Sequence, residues 1–335
     1  DGFIGNYHKD IVSNLVVLCK KCHIMAHNGK LNIKCWEQRD CGNVLNYEIK
    51  HLQTVLSDCD AIGVRTAKLP EEVLSKCKKL KIVARHGVGY DSVDINYLSN
   101  NNIPLAITGS SNAIAVAEHV IAMFLSLSKK IIYSNNVVKN GEYTKKTLIQ
   151  NTVEIFNKKI LIIGFGRIGK EVAKRLQAFK TEILVYDPIL EGTGVDIHPF
   201  KFVNLENGLK KADFITVHIP LNEDTKNFIS KEELDLMKNN VILVNTSRGG
   251  IVNQNDLIDS LKNNKILGAG LDVFTKEPPD KDDPILSAPN ILLTPHNAAL
   301  TIECRMRMSL ETAKNIVGVL EKKPNKENIV NKKIL

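Results

Sequence analysis

From Leu52 onward the apolar residues come in short runs, separated by stretches in which they recur every third or fourth position. The runs are too brief for helices, and their β-branched content suits strands buried on both faces. The spaced stretches suit helices with one apolar stripe. Asp60–Val64, Ile82–Ala84 and Pro104–Ile107 read as one set of strands. Ile160–Ile163, Ile183–Tyr186, Phe214–His218, Val241–Asn245, Ile266–Leu271 and Ile291–Thr294 form a second, larger set. Leu69–Lys76, with Pro70 in its first turn, and Val93–Asn100 read as helices between the first strands. Strands alternating with helices predict parallel, doubly wound α/β sheets, in which ligands bind beyond the carboxyl ends of strands. Ser111-Asn112 starts a helix that runs through Ile131 and is apolar nearly all round, so it is expected to be buried between domains or subunits. Glu118 and His119 inside it read as core or interface polar groups without chemistry. Ser230-Lys231-Glu232-Glu233 has the spacing of a capping box.

The second set opens with Gly164-Phe165-Gly166-Arg167-Ile168-Gly169 directly after Ile160–Ile163, and a helical stretch with Val172, Ala173, Leu176 and Phe179 follows. The next strand ends at Asp187. Strand, glycine turn, helix, strand and acid are the parts of a dinucleotide site. Gly164 permits the tight turn, Gly166 lets backbone approach a pyrophosphate, and Gly169 lets the helix pack on the strand. The helix N-terminus offers N–H groups to the anion. Asp187 is placed to accept both adenosine ribose hydroxyls, which predicts NAD over its 2′-phosphorylated form.

The 335 residues, 43% of them hydrophobic, are enough for two domains. No window approaches a membrane span, and no charged-then-apolar leader opens the chain at Asp1, so a cytoplasmic protein is expected. Six of the seven cysteines lie before residue 80, an arrangement that argues against a disulfide framework and for a reducing compartment. The net charge of +8 comes from lysines scattered through segments such as Lys322–Lys333, so it predicts a solvated surface, not a nucleic-acid stripe. In residues 1–40, Asn14 through His23, with Cys19, Cys22 and then His27, resembles the tail of an HNH endonuclease zinc module. A closed tetrahedral site needs four ligands, so no metal is expected here. The alternative is that Leu15–Leu18 is a plain apolar strand.

Arg85-His86-Gly87-Val88-Gly89 breaks out of a strand with glycines on either side of Val88, which reads either as a plain turn or as a cradle of N–H groups for a small carboxylate. Four later strand ends carry polar loops: His218–Leu221, Asn245–Gly250, Asp272–Pro279 and Thr294–Ala299. They bring an arginine, a glutamate and a histidine to the edge of the dinucleotide cleft. Hydride transfer to a 2-oxo acid needs those types: a fixed cation for the carboxylate and carbonyl, an acid/base, and a carboxylate that orients it.

From about Leu52 to Val330 the chain resembles the D-isomer-specific 2-hydroxyacid dehydrogenases, through GFGRIG, NTSRGG, LDVFTKEPP and TPHNA in that order. It looks most like the phosphoglycerate dehydrogenase and hydroxypyruvate/glyoxylate reductase branch. The resemblance implies a Rossmann nucleotide domain (112–300) inserted in a smaller, flavodoxin-like α/β substrate domain (41–111 and 301–335). It also implies that Arg248, Glu277 and His296 are catalytic. Gly164, Gly166, Arg167, Ile168, Gly169, Asp187, His218, Pro220, Thr246, Ser247, Asp272, Asn297 and Ala298 would contact NAD, and Arg65, Val88 and Gly89 would hold the substrate. A homodimer is expected, with no nucleic acid or membrane partner. The family's first strand and helix have no counterpart in residues 1–40. Hydroxypyruvate, glyoxylate and phosphohydroxypyruvate stay open as substrates, with Arg65, Lys145 and Lys146 either reaching a phosphate or merely solvated. An NAD-sensing, corepressor-like binding protein is the other reading of the same residues.

Overall fold

The structure is a computed structural model that describes residues 15–18, 49–148 and 151–335. The rest of residues 1–40, including Cys19, Cys22, His23 and His27, lies outside the described residues. Two compact units emerge, Asp1–Asn112 with Thr301–Leu335, and Ala113–Leu300.

The first unit holds a four-stranded sheet in the order β1-β2-β3-β4. Its strands are β1 (Leu15–Leu18), β2 (Ala61–Val64), β3 (Ile82–Arg85) and β4 (Leu105–Ala106). Helices α1 (Ile49–Leu56), α2 (Glu71–Leu74) and α3 (Ile95–Asn100) alternate with them. β2, β3 and β4 are parallel, but β1 runs antiparallel to β2, with Leu15 opposite Val64 and Leu18 opposite Ala61. The parallel α/β pattern expected of this unit holds in β2, β3 and β4, and β1 adds an antiparallel edge to it. The run Leu-Val-Val-Leu has no polar alternation to select a direction, and either direction satisfies the N–H and C=O row of an edge. Leu56, Ile62, Leu69, Leu98 and Leu105 have no exposed surface and form this unit's core.

The second unit begins with α4 (Ala113–Ser128), which stops three residues short of the expected Ile131. Lys130 adopts a left-handed φ of +51°, and α5 (Ile131–Lys139) restarts in a new direction. The Lys129-Lys130 pair reaches solvent there, and the N–H of Val153 takes up the carbonyl of Ser128 at 2.9 Å. α4 is buried, as its composition predicts, but against its own unit's sheet: Ala117, Val120, Met123 and Phe124 pack with Ile160, Ile162 and Val244. The Phe124 and Phe214 rings meet edge to face at 5.1 Å.

Beyond α5 come β5 (Lys159–Ile163), α6 (Arg167–Leu176), β6 (Glu182–Tyr186), α7 (Pro188–Glu191), β7 (Lys201–Phe202), α8 (Leu205–Lys211) and β8 (Phe214–Val217). α9 (Lys231–Leu236), β9 (Ile242–Asn245), α10 (Gln254–Lys262), β10 (Gly268–Leu271) and β11 (Ile291–Leu293) complete the unit. The seven strands lie in the order β11-β10-β9-β8-β5-β6-β7 and are all parallel. Successive side chains feed opposite faces. Leu161, Ile163, Ile215 and Leu243 join one core layer, while Ile160, Ile162, Phe214 and Val244 join the other. Burying each such side chain contributes roughly 1.5–3 kcal/mol. The capping box forms at α9, where Ser230 N–H donates to the Glu233 carboxylate at 2.9 Å. The strand order reverses between β5 and β8, so the loops after those strands, at Gly164 and His218, flank the crevice of a doubly wound sheet.

The chain then returns to the first unit through α11 (Ile302–Leu320), capped by Thr301 Oγ1, which accepts from Cys304 N–H at 3.1 Å. Ile316 packs with Ile82, Ala84 and Ala106. Among the described residues no helix is long and apolar enough to cross a membrane.

Candidate active site

Each glycine of the loop after β5 has a separate physical requirement. Gly164 sits at φ +90°, and a Cβ there would lie 2.7 Å from the His218 carbonyl oxygen. Gly169 has no room either, since its Cβ would stand 2.3 Å from the Gly164 carbonyl oxygen, the contact that seats α6 on β5. Gly166 is the opposite case: a Cβ there meets nothing within 4 Å. The loop is therefore packed from below and open above, beside the Arg167 and Ile168 N–H groups, which have no partner four residues back. That is the shape an NAD pyrophosphate requires. Asp187 is the N-cap of α7: its Oδ1 accepts from Leu190 N–H at 3.0 Å and its Oδ2 from Phe165 N–H at 2.9 Å. The residue expected to choose the ribose also ties the glycine loop to the end of β6.

At the end of β8, the His218 ring lies with Nε2 2.9 Å from Thr216 Oγ1, and its Nδ1 is buried without a partner. Burial pushes its pKa down to about 3, so the ring is neutral. Pro220 is exposed, and its carbonyl accepts from Thr225 Oγ1 at 2.6 Å. At the end of β9 the buried Asn245 clamps its own turn. Its Oδ1 accepts from Ser247 N–H at 3.0 Å and from Ser247 Oγ at 2.7 Å, and its Nδ2 donates to the Arg248 carbonyl at 2.7 Å. Thr246 is buried with its hydroxyl oxygen unpartnered. Buried polar atoms without partners are costly, and those of His218 and Thr246, at the ends of β8 and β9, are groups a bound ligand can satisfy.

The Arg248 turn is pressed onto the loop after β10: a Cβ on Gly249 would lie 2.0 Å from the Phe274 carbonyl oxygen. Arg248 Nη1 donates to the Ser247 carbonyl at 2.7 Å. On the facing loop, Glu277 Oε1 accepts from Phe274 N–H at 3.0 Å and Oε2 accepts from His296 Nδ1–H at 2.7 Å. Burial pushes the Glu277 carboxyl up. The His296 and Phe274 hydrogen bonds and the His296 and Arg248 charges outweigh it, so the group is held below its ordinary range. With Nδ1 committed to the glutamate, Nε2 of His296 is the nitrogen left to exchange a proton. The side chains of His296 and Glu277 are 47% and 37% exposed, open to a ligand.

His296 itself has a left-handed φ of +50°, a conformation that costs a side-chain-bearing residue about 1–2 kcal/mol. Its turn is held by Asp272, which is 1% exposed. Asp272 Oδ1 accepts from Thr294 Oγ1 at 2.6 Å and from Asn297 N–H at 2.9 Å, and Oδ2 accepts from Ala298 N–H at 3.0 Å. Asp272, Asn297 and Ala298, expected as cofactor contacts, thus build the platform of His296 in this geometry. Arg248, Glu277 and His296 stand together within one unit.

In the first unit, Arg65 follows β2, and the Gly87-Val88-Gly89 turn follows β3, with Gly87 at φ +142°. His86 is buried, with Nε2 3.2 Å from Ser309 Oγ. Burial, then the charges of Arg65 and Arg85, push its pKa down to about 4. Arg85 Nη1 donates to the His86 carbonyl at 2.8 Å. Two guanidinium groups therefore put positive charge near His86, and Arg85, like Asn245, is a residue to which sequence reasoning gave no role. Lys145 is paired with Glu142 at 2.5 Å, and Lys146 lies 5.2 Å from the Tyr143 ring centroid, so both have surface partners.

Comparison with known proteins gives the family. The profile "D-isomer specific 2-hydroxyacid dehydrogenase, NAD binding domain" matches residues 121–298. The hydroxypyruvate reductase of Thermotoga maritima is 36% identical over 272 residues, covering 80% of this chain and 87% of that protein. The chain belongs to the D-isomer specific 2-hydroxyacid dehydrogenase family. The D-3-phosphoglycerate dehydrogenase of Archaeoglobus fulgidus is 38% identical over 266 residues, 79% of this chain but 50% of that protein. The chain thus spans about half the length of the phosphoglycerate dehydrogenases it matches. Among solved structures, D-lactate dehydrogenase from Aquifex aeolicus complexed with NAD and lactic acid superposes with a TM-score of 0.75 at 30% identity, covering 83% of this chain and 89% of that one.

Proposed function

We propose that the protein is an NAD-dependent dehydrogenase that interconverts a small D-2-hydroxy acid and its 2-oxo acid. The observation that carries this reading is the His296–Glu277 pair beside Arg248 at the strand ends of a dinucleotide-binding sheet. The Gly164–Gly169 loop would hold NADH, which would supply the hydride when bound. The guanidinium of Arg248 binds the carboxylate and carbonyl oxygen of the 2-oxo acid and draws electron density from the carbon. His296 gives its Nε2 proton to the carbonyl oxygen as that oxygen becomes a hydroxyl. Glu277 keeps the ring's other nitrogen occupied and so fixes the orientation of the imidazole, leaving Nε2 for the transfer. In oxidation the neutral ring takes the proton back.

Arg65, Val88 and Gly89 are proposed to hold the substrate, with Arg85 adding to the positive charge around the turn. Two guanidinium groups there favour an acid with a second anionic or strongly polar group, of the phosphoglycerate or hydroxypyruvate kind. α5 leaves Ile131, Ile132, Tyr133 and Val138 each at least half exposed, and we assign that face to a second copy of the chain.

The test is a panel of 2-oxo acids (glyoxylate, hydroxypyruvate, phosphohydroxypyruvate and pyruvate) with NADH, followed at the nicotinamide absorbance band. Oxidation of NADH by at least one of them is expected, with loss of about 10²–10⁴-fold in His296→Ala while NADH binding survives. Wild-type protein that binds NADH and reduces none of them would replace this reading with that of an NAD-binding sensor.

A further inference from the structure

The mechanism above gives no task to His119, a histidine in the middle of an otherwise apolar helix. Its side chain is 22% exposed, and its Nε2 lies 3.0 Å from Thr294 Oγ1 and 3.8 Å from Asp272 Oδ1. Proton counting fixes the direction of this chain. The Thr294 hydroxyl has a single hydrogen, and its shortest contact is to the buried carboxylate, Asp272 Oδ1, at 2.6 Å. Thr294 therefore accepts from His119, and Nε2 of His119 carries a proton.

The chain runs His119 Nε2–H to Thr294 Oγ1–H to Asp272. Asp272 in turn accepts the Asn297 and Ala298 N–H groups, on the residues that follow His296. The His296 N–H closes the turn on the Thr294 carbonyl at 3.0 Å. A buried carboxylate keeps its place only while its lone pairs are satisfied, and His119 is the imidazole on its far side. Glu118, next to His119 on α4, is engaged by Arg175 of α6 at 3.5 Å.

We infer that His119 is a positioning residue for the proposed proton transfer: through Thr294 and Asp272 it holds the turn that keeps His296 in its left-handed conformation, with Nε2 aimed outward. It acts through other residues and has no contact with the Glu277–His296 pair in the described geometry. The inference rests on the dehydrogenase reading for its effect on turnover, but its structural half stands without activity.

The experiment compares His119→Leu, His119→Gln and Thr294→Val with wild type, in full-length protein whose melting temperature confirms folding. The readouts are hydrogen exchange of the peptide spanning residues 291–300, NADH affinity, and kcat and KM on whichever 2-oxo acid the wild type reduces. His119→Leu is expected to speed exchange in that peptide while leaving residues 242–250 unchanged, to lower kcat by about 10–100-fold, the scale of a misplaced catalytic group, and to leave NADH affinity within about twofold. His119→Gln, whose amide can still donate to Thr294, is expected to restore most of kcat and the protection. The double substitution His119→Leu/Thr294→Val is expected to cost no more than the worse single change, because both break one chain. Unchanged exchange in His119→Leu, or His119→Gln no better than leucine, overturns the inference. So does faster exchange at wild-type kcat. Wild-type protein inactive on every 2-oxo acid would end the dehydrogenase reading, while the exchange measurement would still decide whether His119 holds the turn.

Discussion

Two glycines three residues apart are expected to fail in opposite ways when changed to alanine. At Gly169 the added methyl would stand 2.3 Å from the Gly164 carbonyl oxygen, and real Cβ atoms essentially never come closer than 3.0 Å, so α6 must retreat from β5. The obstructing atom is backbone, which places the cost near the upper end of the usual overpacking range, about 3 kcal/mol. Helix propensity returns about 1 kcal/mol of that. The net, about 2 kcal/mol, lowers the melting temperature by about 4–8 °C for a unit of this size.

Gly166 has φ −75° and ψ −155°, open to any residue, and its methyl meets nothing within 4 Å. Alanine is a poorer N-cap than glycine but loses less chain entropy on folding, and the two effects, each below about 1 kcal/mol, nearly cancel. Gly166→Ala should melt within about 2 °C of wild type. The same methyl occupies the space through which a pyrophosphate approaches the backbone, so NADH binding should weaken at least about tenfold, or about 1.4 kcal/mol. Thermal melts and titration of NADH fluorescence measure both. Gly166→Ala binding NADH as tightly as wild type would refute the cradle, and a Gly169→Ala protein as stable as wild type would refute the packing argument.

The remaining expectations concern charged groups. Glu277 is held below its ordinary carboxylate range, so its pair with His296 contributes stability above about pH 4.5 that is lost as pH falls through the lowered value. The stability gap between wild type and Glu277→Gln should accordingly be present in chemical denaturation at neutral pH and close only in stronger acid; a gap that closed at pH 6 would contradict it. Asp187→Ala should erase the preference for NADH over NADPH in kcat/KM. It should also cost about 0.5–2 kcal/mol in thermal melts, because the Leu190 and Phe165 N–H groups lose their acceptor. A wild-type protein indifferent to the 2′-phosphate would contradict the first half. Arg248→Lys keeps the charge and loses the planar fork, so KM for the 2-oxo acid should rise and kcat fall together in steady-state kinetics, and a change in KM alone would argue against a transition-state role.

The large sheet was legible because its strands are buried on both faces and so are written as apolar runs; β5, β6, β8 and β9 lie within a residue of their expected limits. The Arg248, Glu277 and His296 loops were legible for a related reason. Polar residues at the end of an apolar run stand out, and their order follows the family pattern. What was not legible depends on partners distant in sequence. His119 looked inert because its meaning lies in Thr294 and Asp272, more than 150 positions away. The available signal was physical: a histidine inside an apolar helix must find a polar partner somewhere. Asn245 was hidden as the last residue of a buried strand, where its side chain serves its own turn. The helix expected to reach Ile131 failed at two adjacent lysines, whose need for solvent outweighs a periodicity that continues through them. Leu15–Leu18 was left between the tail of a zinc module and a plain apolar strand, and its four apolar residues carried no information about the direction in which β1 pairs.

The strand-end acids divide the work of the site in a way that their sequence positions do not distinguish. Asp187 and Asp272 both follow β-strands, and both give their oxygens to backbone N–H groups of a neighbouring loop. Glu277 gives one oxygen to the backbone and the other to an imidazole. Difference in reach accounts for this. Asp187 and Asp272, at the strand ends and one methylene shorter than glutamate, engage backbone close at hand. Glu277, five residues further along its loop and one methylene longer, spans to the next loop. At Asp272 both oxygens must be acceptors. An asparagine there would turn its NH₂ toward either the Ala298 N–H or the Thr294 hydroxyl and Asn297 N–H, facing donor with donor in each orientation and leaving a buried group unsatisfied at about 1–3 kcal/mol. A carboxylate at that position is therefore a requirement of the turn that presents His296, before any contact with a cofactor is considered.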